Sequence, residues 1–256
     1  MTPTSFDAAR QHTIGDLLRR TAARSPQKIA IVCGGISWTY SEFDQICTRL
    51  AKALTARGVH AGDRVAVLSR NSHAFAAMRF ALARTGAVLV PINFMLNAEE
   101  VGFILRSCGA TMFLVGSRSE PLAAAALQKE NSVRECIWLP GEEDGQNGPE
   151  TMAHFEDLLT AEIPKVVLPS VDPRSVLQII YTSGTESQPK GAMLTHEAVM
   201  WEYVSCIVEG EINAGDVMLH ALPLYPPRNP CSRCGSSPSR FALAGAIAPP
   251  YCAWAA

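Results

Sequence analysis

Long apolar runs are missing from this chain of 256 residues. A helix that spans a bilayer needs about 20 consecutive apolar residues, so the sequence predicts no integral membrane segment. The first residues, Met1–Asp7, contain neither a basic stretch nor an apolar stretch, which predicts no signal peptide. From these two absences we expect a cytoplasmic protein.

An excess of charge of either sign is also missing. The formal net charge is −2, from 22 lysine and arginine residues against 24 aspartate and glutamate residues. A surface that binds nucleic acid usually shows as a basic excess, so we expect no nucleic-acid partner. The 8 cysteines include five before residue 226 that are far apart in sequence, which predicts reduced, mostly buried thiols.

Strand-like and helix-like segments alternate along most of the chain. Hydrophobic residues make up 48% of the sequence and charged residues 18%, as is typical of a globular protein. Strands that alternate with helices of this length predict an α/β fold with a mostly parallel, helix-covered sheet. The predicted elements are a helix starting at Thr13–Asp16, a hairpin of Ile29–Cys33 and Ile36–Tyr40 turning at Gly34-Gly35, a helix capped by Ser41, strand Arg64–Leu68, helix Ser72–Thr85, strand Ala87–Pro91, helix Asn97–Cys108, strand Thr111–Val115 and strand Ile137–Leu139.

The most informative segment is Tyr181-Thr-Ser-Gly-Thr-Glu-Ser-Gln-Pro-Lys-Gly-Ala192. A buried strand is predicted just before it at Val176–Ile180, and a helix capped by Thr195 is predicted just after it. Proteins of the α/β class hold phosphates in such loops, because backbone N–H groups and a cation converge there. The segment is not a Walker A loop, which needs Gly directly before the Lys and Ser or Thr directly after it.

This segment resembles the signature loop of the adenylate-forming superfamily, which includes acyl-CoA synthetases, luciferases and peptide-synthetase adenylation domains. Ten of its twelve positions fit the pattern, and Glu186 and Ser187 depart from it. Three further segments resemble the superfamily in the correct order: Ile36–Phe43, Ala83–Asn93 and Leu222–Tyr225. The resemblance implies the N-terminal domain of an adenylate-forming enzyme, most like a fatty-acyl-CoA synthetase.

The resemblance also implies a reaction and its small-molecule substrates. A carboxylic acid, expected to be a fatty acid, would attack the α-phosphate of ATP to form acyl-AMP, and CoA would then take the acyl group. Mg²⁺ would accompany the ATP, although its ligand in the family has no counterpart in this chain. Charge builds on phosphate oxygens in the first step, so donors and cations aimed at them lower the barrier.

The resemblance assigns binding roles within the loop but no catalytic residue and no metal ligand. Thr182, Ser183, Gly184 and Thr185 would wrap the β- and γ-phosphates with hydroxyls and backbone N–H groups. Lys190 would bring a positive charge to the pyrophosphate. The remaining two expected binding residues are Glu186, which would approach the metal–phosphate region or else be a solvated carboxylate, and Gly191, which would supply a backbone conformation closed to other residues.

The helix after the loop carries residues with two possible roles each. His196 is expected to be a structural residue at the helix start rather than a catalytic base. Trp201 and Tyr203 are expected to pack the helix, and the alternative is that they border the acid pocket.

The resemblance stops after Tyr225. Residues 226–256 have no acidic side chain and show neither a 3.6-residue nor a 2-residue apolar period. We therefore expect two regions, 1–225 as the N-terminal part of an AMP-binding adenylation domain and 226–256 as an unrelated tail that is disordered or translated in a shifted reading frame. Two alternatives to an active ligase follow: a truncated, inactive fragment that binds nucleotide phosphates weakly, or a partial subunit that needs a separate C-terminal half.

Overall fold

The computed structural model describes residues 12–128, 132–141, 148–163, 165–182 and 189–219, and the backbone of 253–255. The helices are α1 (Ile14–Arg24), α2 (Tyr40–Ala56), α3 (His73–Thr85), α4 (Ala98–Cys108), α5 (Glu120–Leu127), α6 (Phe155–Thr160) and α7 (His196–Glu209). The strands are β1 (Ile29–Cys33), β2 (Ile36–Thr39), β3 (Arg64–Leu68), β4 (Val88–Ile92), β5 (Met112–Gly116), β6 (Glu135–Leu139), β7 (Ala153–His154), β8 (Val176–Thr182), β9 (Lys190–Thr195), β10 (Val217–Leu219) and β11 (Ala253–Ala255).

Seven strands form the main sheet, in the order β7-β6-β5-β3-β4-β8-β9. All neighbouring pairs run parallel except β8 and β9, which are antiparallel. The predicted strand Arg64–Leu68 is confirmed residue for residue, and the strand predicted at 87–91 lies one residue later. The expected mostly parallel α/β fold is therefore confirmed.

Helices cover both faces of this sheet, and alternate residues of each strand supply the two cores. In β3, Val65 and Val67 face the core formed with α1, α2, α3, α6 and α7. Ala66 and Leu68 face the opposite core, formed with α4 and α5. A parallel strand that is buried on both faces reads as a continuous apolar run, which is why the sequence identified β3 so clearly.

Side-chain caps fix most of the helix starts. Thr13 and Asp16 form a capping box at α1, and Ser72 and Asn97 cap α3 and α4, the helices that the sequence predicts to start at these residues. The prediction that Ser41 caps α2 is wrong, because the cap is Thr39, two residues earlier. Thr39 Oγ1 accepts a hydrogen bond from the Glu42 N–H, and the Glu42 carboxylate accepts the Thr39 N–H in return. This reciprocal pair satisfies two backbone donors, whereas a single serine satisfies one.

A smaller antiparallel sheet has the order β10-β11-β1-β2. Its β1–β2 hairpin turns at Gly34, whose φ of 55° lies in the left-handed region that glycine adopts without strain. Of the expected tail at 226–256, only the backbone of β11 is described, and it pairs with β1 and β10. The rest of the tail lies outside the described residues, so the boundary at 225 stays a prediction.

Five cysteines lie in the described part of the chain, and none of these five is exposed. Cys33 and Cys47 are buried, and Cys108, Cys136 and Cys206 are half-buried. Burial raises the pKa of the Cys47 thiol and, less strongly, that of Cys136. Across the same described ranges, no helix is long and apolar enough to cross a membrane.

Candidate functional site

The signature segment is the turn of a β-hairpin, not a loop between a strand and a helix. Strand β8 ends at Thr182, and β9 returns beside it from Lys190 to Thr195 before α7 begins. The predicted strand before the segment and the Thr195 cap of α7 are confirmed. Strand β9 was not predicted, because four of its six residues are exposed and give no apolar strand signal.

Strand β8 ends at the carboxyl edge of the main sheet. Strand β8 pairs in parallel with β4, with Gln178 opposite Leu89, so its end lies on the same edge of the sheet as the ends of β3 and β4. Ligands of open α/β sheets bind at this edge, where the strand ends and the following loops converge. The position of the end of β8 therefore fits a binding site.

Three of the seven predicted binding residues are described. Thr182 and Lys190 are opposite each other in the register of β8 and β9, and both are exposed at the start of the turn. Gly191 is opposite Tyr181. The other four lie outside the described residues: Ser183, Gly184, Thr185 and Glu186.

Gly191 is required for a different reason from the one predicted. It does not have a positive φ, unlike five other glycines of the described chain. A Cβ at this position would lie 2.9 Å from Ile179 Cγ2 and 3.1 Å from Tyr181 Cζ. The side chains of β8 thus pack across the bare backbone of β9, and this close approach, not a special backbone conformation, favours glycine.

Tyr181 fastens the hairpin to the neighbouring helix. Its hydroxyl donates a hydrogen bond to Ser107 Oγ on α4 at 2.9 Å. Burial of the ring raises the pKa of Tyr181. Tyr181 therefore holds the end of β8 against α4, one residue before the turn begins.

His196 fastens the other end of the hairpin. Its side chain is fully buried, and Nδ1 accepts a hydrogen bond from the backbone N–H of Ile14 at 3.3 Å. Its own backbone N–H donates to the carbonyl of Ser175, the residue before β8. Burial lowers the pKa of His196 to about 4, against a smaller opposite effect of Asp16. A buried, neutral imidazole bonded to a helix start supports the structural role that the sequence predicts.

The two aromatic residues of α7 differ in their surroundings. Tyr203 is half-buried against the core, and its hydroxyl accepts a hydrogen bond from the buried Arg79 at 3.3 Å. Trp201 is 66% exposed, so the prediction that it packs the helix is wrong for the described residues. Residues 200 and 203 lie on the side of α7 that faces the core. Residue 201 lies about 100° further around the helix than residue 200, and it points away from the core.

The described ends of the segment carry one hydroxyl group and one ammonium group. The hydroxyl residue Thr182 and the ammonium residue Lys190 flank the start of the turn, which matches the donor and charge requirements of a polyphosphate. In the ranges that the structure describes, no group of three or more His, Cys, Asp or Glu side chains is placed to hold a metal ion.

Comparison with protein families agrees with the resemblance to adenylate-forming enzymes that the sequence motifs indicate. The family described as "AMP-binding enzyme" matches residues 18–226, which includes the whole hairpin. The chain belongs to the AMP-binding enzyme family. The curated proteins that it resembles within this family are named as CoA ligases and synthases.

Two curated relatives and one solved structure illustrate the similarity. Feruloyl-CoA synthase from Amycolatopsis sp is 33% identical over 84% of this chain and 40% of its own length. Long-chain-fatty-acid--CoA ligase FadD13 from Mycobacterium tuberculosis is 35% identical over 83% of this chain and 41% of its own length. The inhibitor-bound N-terminal domain of FACL13 from M. tuberculosis superposes with a TM-score of 0.62 at 32% identity, over 75% of this chain and 47% of that one. The chain thus spans about two fifths of the curated AMP-binding enzymes that it matches.

Proposed function

We propose that this chain supplies the nucleotide-phosphate-binding part of an ATP-dependent ligase that joins a carboxylic acid to CoA. The observation that carries the proposal is the β8–β9 hairpin, which places Thr182 opposite Lys190 at the carboxyl edge of the sheet. The family match over residues 18–226 and the names of the relatives support the same reaction class.

The proposed reaction has two steps. A carboxylate oxygen attacks the α-phosphorus of ATP, and the bond to pyrophosphate breaks, which gives acyl-AMP. The sulfur of CoA then attacks the acyl carbon, and AMP leaves with the bonding electron pair. The first step needs charge stabilisation on the leaving pyrophosphate, because its oxygens gain negative charge as the bond breaks.

Within this scheme the described residues bind and orient the phosphates. The Lys190 ammonium offsets the charge of the pyrophosphate, and the Thr182 hydroxyl donates to a phosphate oxygen on the opposite side of the turn. The remaining contacts to the phosphates would come from Ser183, Gly184, Thr185 and Glu186. Mg²⁺ would supply further charge neutralisation when it is bound with ATP. Tyr181 and His196 hold the two strands in place through their hydrogen bonds to α4 and α1.

A fatty acid is the substrate class that we propose for the acid. FadD13, the relative with 35% identity, is named as a long-chain-fatty-acid ligase. Other relatives are named for aromatic acids, feruloyl and indoleacetate, so the same experiment must compare both classes. The cytoplasmic location expected from the sequence stays part of this proposal.

The first experiment measures pyrophosphate release from ATP with a panel of fatty and aromatic carboxylic acids, using the full chain. Acid-dependent release, fastest with fatty acids, is the expected result. ATP binding without release with any acid would instead support the alternative of a phosphate-binding polypeptide that needs a separate C-terminal half. The absence of both ATP binding and release would contradict the proposal.

The second experiment tests Lys190 directly by equilibrium binding of ATP. Lys190→Ala is expected to weaken ATP binding by about tenfold or more, because a charge-assisted contact to phosphate contributes roughly 1.5–3 kcal/mol. Lys165→Ala is the matched control, since Lys165 is an exposed lysine in the segment before β8. Equal affinities of the two variants would refute the role of Lys190.

A further inference from the structure

Two fully buried polar side chains at the β8–β9 hairpin have polar atoms that no protein group satisfies. Gln178 and His196 are both 0% exposed. Among the described residues, neither Oε1 nor Nε2 of Gln178 has a hydrogen-bond partner, and the same is true of His196 Nε2. Almost all buried polar atoms in proteins are bonded to other protein groups or to buried water. These three atoms therefore require a ligand that hydrogen-bonds to them inside the core.

The register of the hairpin places both side chains in the same core. Gln178 is opposite Leu194, and the Leu194 side chain packs against the core formed with α1, α2, α3, α6 and α7. His196 lies two residues after Leu194, and its N–H continues the pairing by donating to the Ser175 carbonyl. Residues two apart on a strand share a face, and opposite residues of a pair share a face as well. Gln178 and His196 therefore enter this core as diagonal neighbours.

The hydrogen-bonding roles of the atoms are complementary. Nδ1 of His196 accepts the N–H of Ile14, so the proton of the neutral imidazole is on Nε2, which is a donor. Oε1 of Gln178 is an acceptor. The Cα atoms of diagonal neighbours lie roughly 7–8 Å apart, and a water molecule that bridges a donor and an acceptor separates them by about 5 Å. This spacing suits a bridged contact between two long side chains that do not bond to each other directly.

The three atoms together select the ligand. A cation would bind Oε1 of Gln178 but not the two N–H-bearing nitrogens, and an anion would bind the nitrogens but not Oε1. An apolar ligand would satisfy none of them. We infer that the core between β8 and the start of α7 binds buried water, which accepts a hydrogen bond from His196 Nε2 and donates one to Gln178 Oε1. A second water molecule beside the first would accept from Gln178 Nε2.

The buried water extends a hydrogen-bonded connection across the fold. The connection runs from the Ile14 N–H at the start of α1 through the imidazole of His196 and the water to Gln178 on β8. Gln178 lies four residues before Thr182, the last residue of β8. The water therefore joins the first helix of the fold to the strand that leads into the signature segment. This inference does not depend on the proposed ligase reaction.

A double-mutant cycle in the full chain tests the connection. Gln178→Leu removes both polar atoms of the carboxamide, and His196→Asn removes Nε2 but keeps an acceptor for the Ile14 N–H. If water joins the two side chains, the second substitution has little left to disrupt after the first. The combined change in the unfolding equilibrium constant should then be smaller than the product of the two single changes by about fivefold or more. Independent effects of the two substitutions would overturn the inference.

The matched control for this cycle is a buried histidine elsewhere in the fold. His73 also has an unsatisfied ring nitrogen, Nδ1, but its ring packs against Trp38 and Phe155, with centroid distances of 5.2 Å and 6.1 Å. His73→Asn and Gln178→Leu are expected to act independently. An equally large coupling in this control pair would overturn the inference, because it would show a general loosening of the core instead of a shared water.

A second measurement uses the wild-type chain and so needs no variant to fold. Rotating-frame NMR records magnetisation transfer from water to the side-chain amide hydrogens of Gln178. A direct cross-peak with the sign of a dipolar contact is expected, because a buried water molecule stays in place far longer than a surface one. Absence of this cross-peak would overturn the inference. If the cycle showed coupling without the cross-peak, the two side chains would bond to each other directly, and the water site would be refuted.

Discussion

Ile14 and His196 are 182 residues apart in sequence, and the backbone N–H of Ile14 donates a hydrogen bond to Nδ1 of His196. Ile14 is the first residue of α1, and His196 is the first residue of α7. Both residues are fully buried. The contact therefore joins the two helices that lie beside the base of the β8–β9 hairpin, and it fixes the imidazole in the tautomer that carries its proton on Nε2.

Removal of this acceptor is expected to destabilise the fold. His196→Leu leaves the Ile14 N–H buried without its partner, which should lower the free energy of unfolding by about 1–3 kcal/mol. His196→Asn is the matched variant, because its amide oxygen can take the position of Nδ1, and it should lose less than half as much. Denaturant unfolding of both variants measures the difference. Equal losses would show that the hydrogen bond does not stabilise the protein.

The same histidine makes stability depend on pH. In the unfolded chain it binds a proton with the ordinary pKa near 6.5, whereas burial lowers the pKa to about 4 in the folded chain. Between these values the unfolded state binds more protons, so the free energy of unfolding falls as the pH is lowered from 6.5 to 4. The slope from this group is at most about 1.4 kcal/mol per pH unit. His196→Asn should remove that part of the slope, and an identical slope in the variant would contradict the assignment.

Gly191 offers a test of the packing inside the hairpin. Gly191→Ala would bring a Cβ within 2.9 Å of Ile179 Cγ2, so the Ile179 side chain or the strand backbone must shift. We expect a loss of about 1–3 kcal/mol in the free energy of unfolding, as for other overpacked sites. The control is Ala192→Ser at the next, exposed position, which should change stability by less than about 0.5 kcal/mol. Thermal and denaturant unfolding report both effects.

Arg84 provides a test of how the first three helices are held together. This largely buried residue of α3 pairs with the Asp44 carboxylate, donates to the Asp44 carbonyl at 2.9 Å and reaches the Gly15 carbonyl of α1 at 3.5 Å. Arg84→Met keeps an unbranched apolar stem but removes every side-chain donor, and we expect a loss of about 2–4 kcal/mol.

The matched control is Arg19→Met. Arg19 pairs with Asp16 on the surface of α1, and its side chain is 67% exposed. Exposed ion pairs contribute roughly 0–1 kcal/mol. If both arginine variants lose the same small amount in denaturant unfolding, the Arg84 contacts are not important for stability.

The sequence predicted those parts of the fold whose signals are local. Strand β3 is buried on both faces, and helices α3 and α4 begin directly after the polar residues Ser72 and Asn97, so a short window contains the information. Strand β9 was missed because its exposed edge carries no apolar pattern, and its place depends on pairing with β8.

Within the candidate site, the motif predicts roles for Thr182 and Lys190, but it does not predict the contacts that hold the hairpin. Tyr181 reaches Ser107, and His196 reaches Ile14, through contacts between residues 74 and 182 positions apart. Neither periodicity nor spacing in a single sequence indicates contacts between residues that are so far apart. The aromatic first position of the motif was the one signal that could have directed attention to Tyr181.

The irregularity in β8 between Val176 and Gln178 has a consequence for the whole hairpin. At this bulge, Leu177 and Gln178 of β8 are both opposite Leu194 of β9. The extra residue places every later side chain of β8 on the other face of the sheet than regular pairing would. This shift is what turns Tyr181 toward α4. A deletion of one residue at Leu177 would restore regular pairing and point the tyrosine to the opposite side of the sheet, so the direction in which the hairpin is anchored is decided about five residues before the turn.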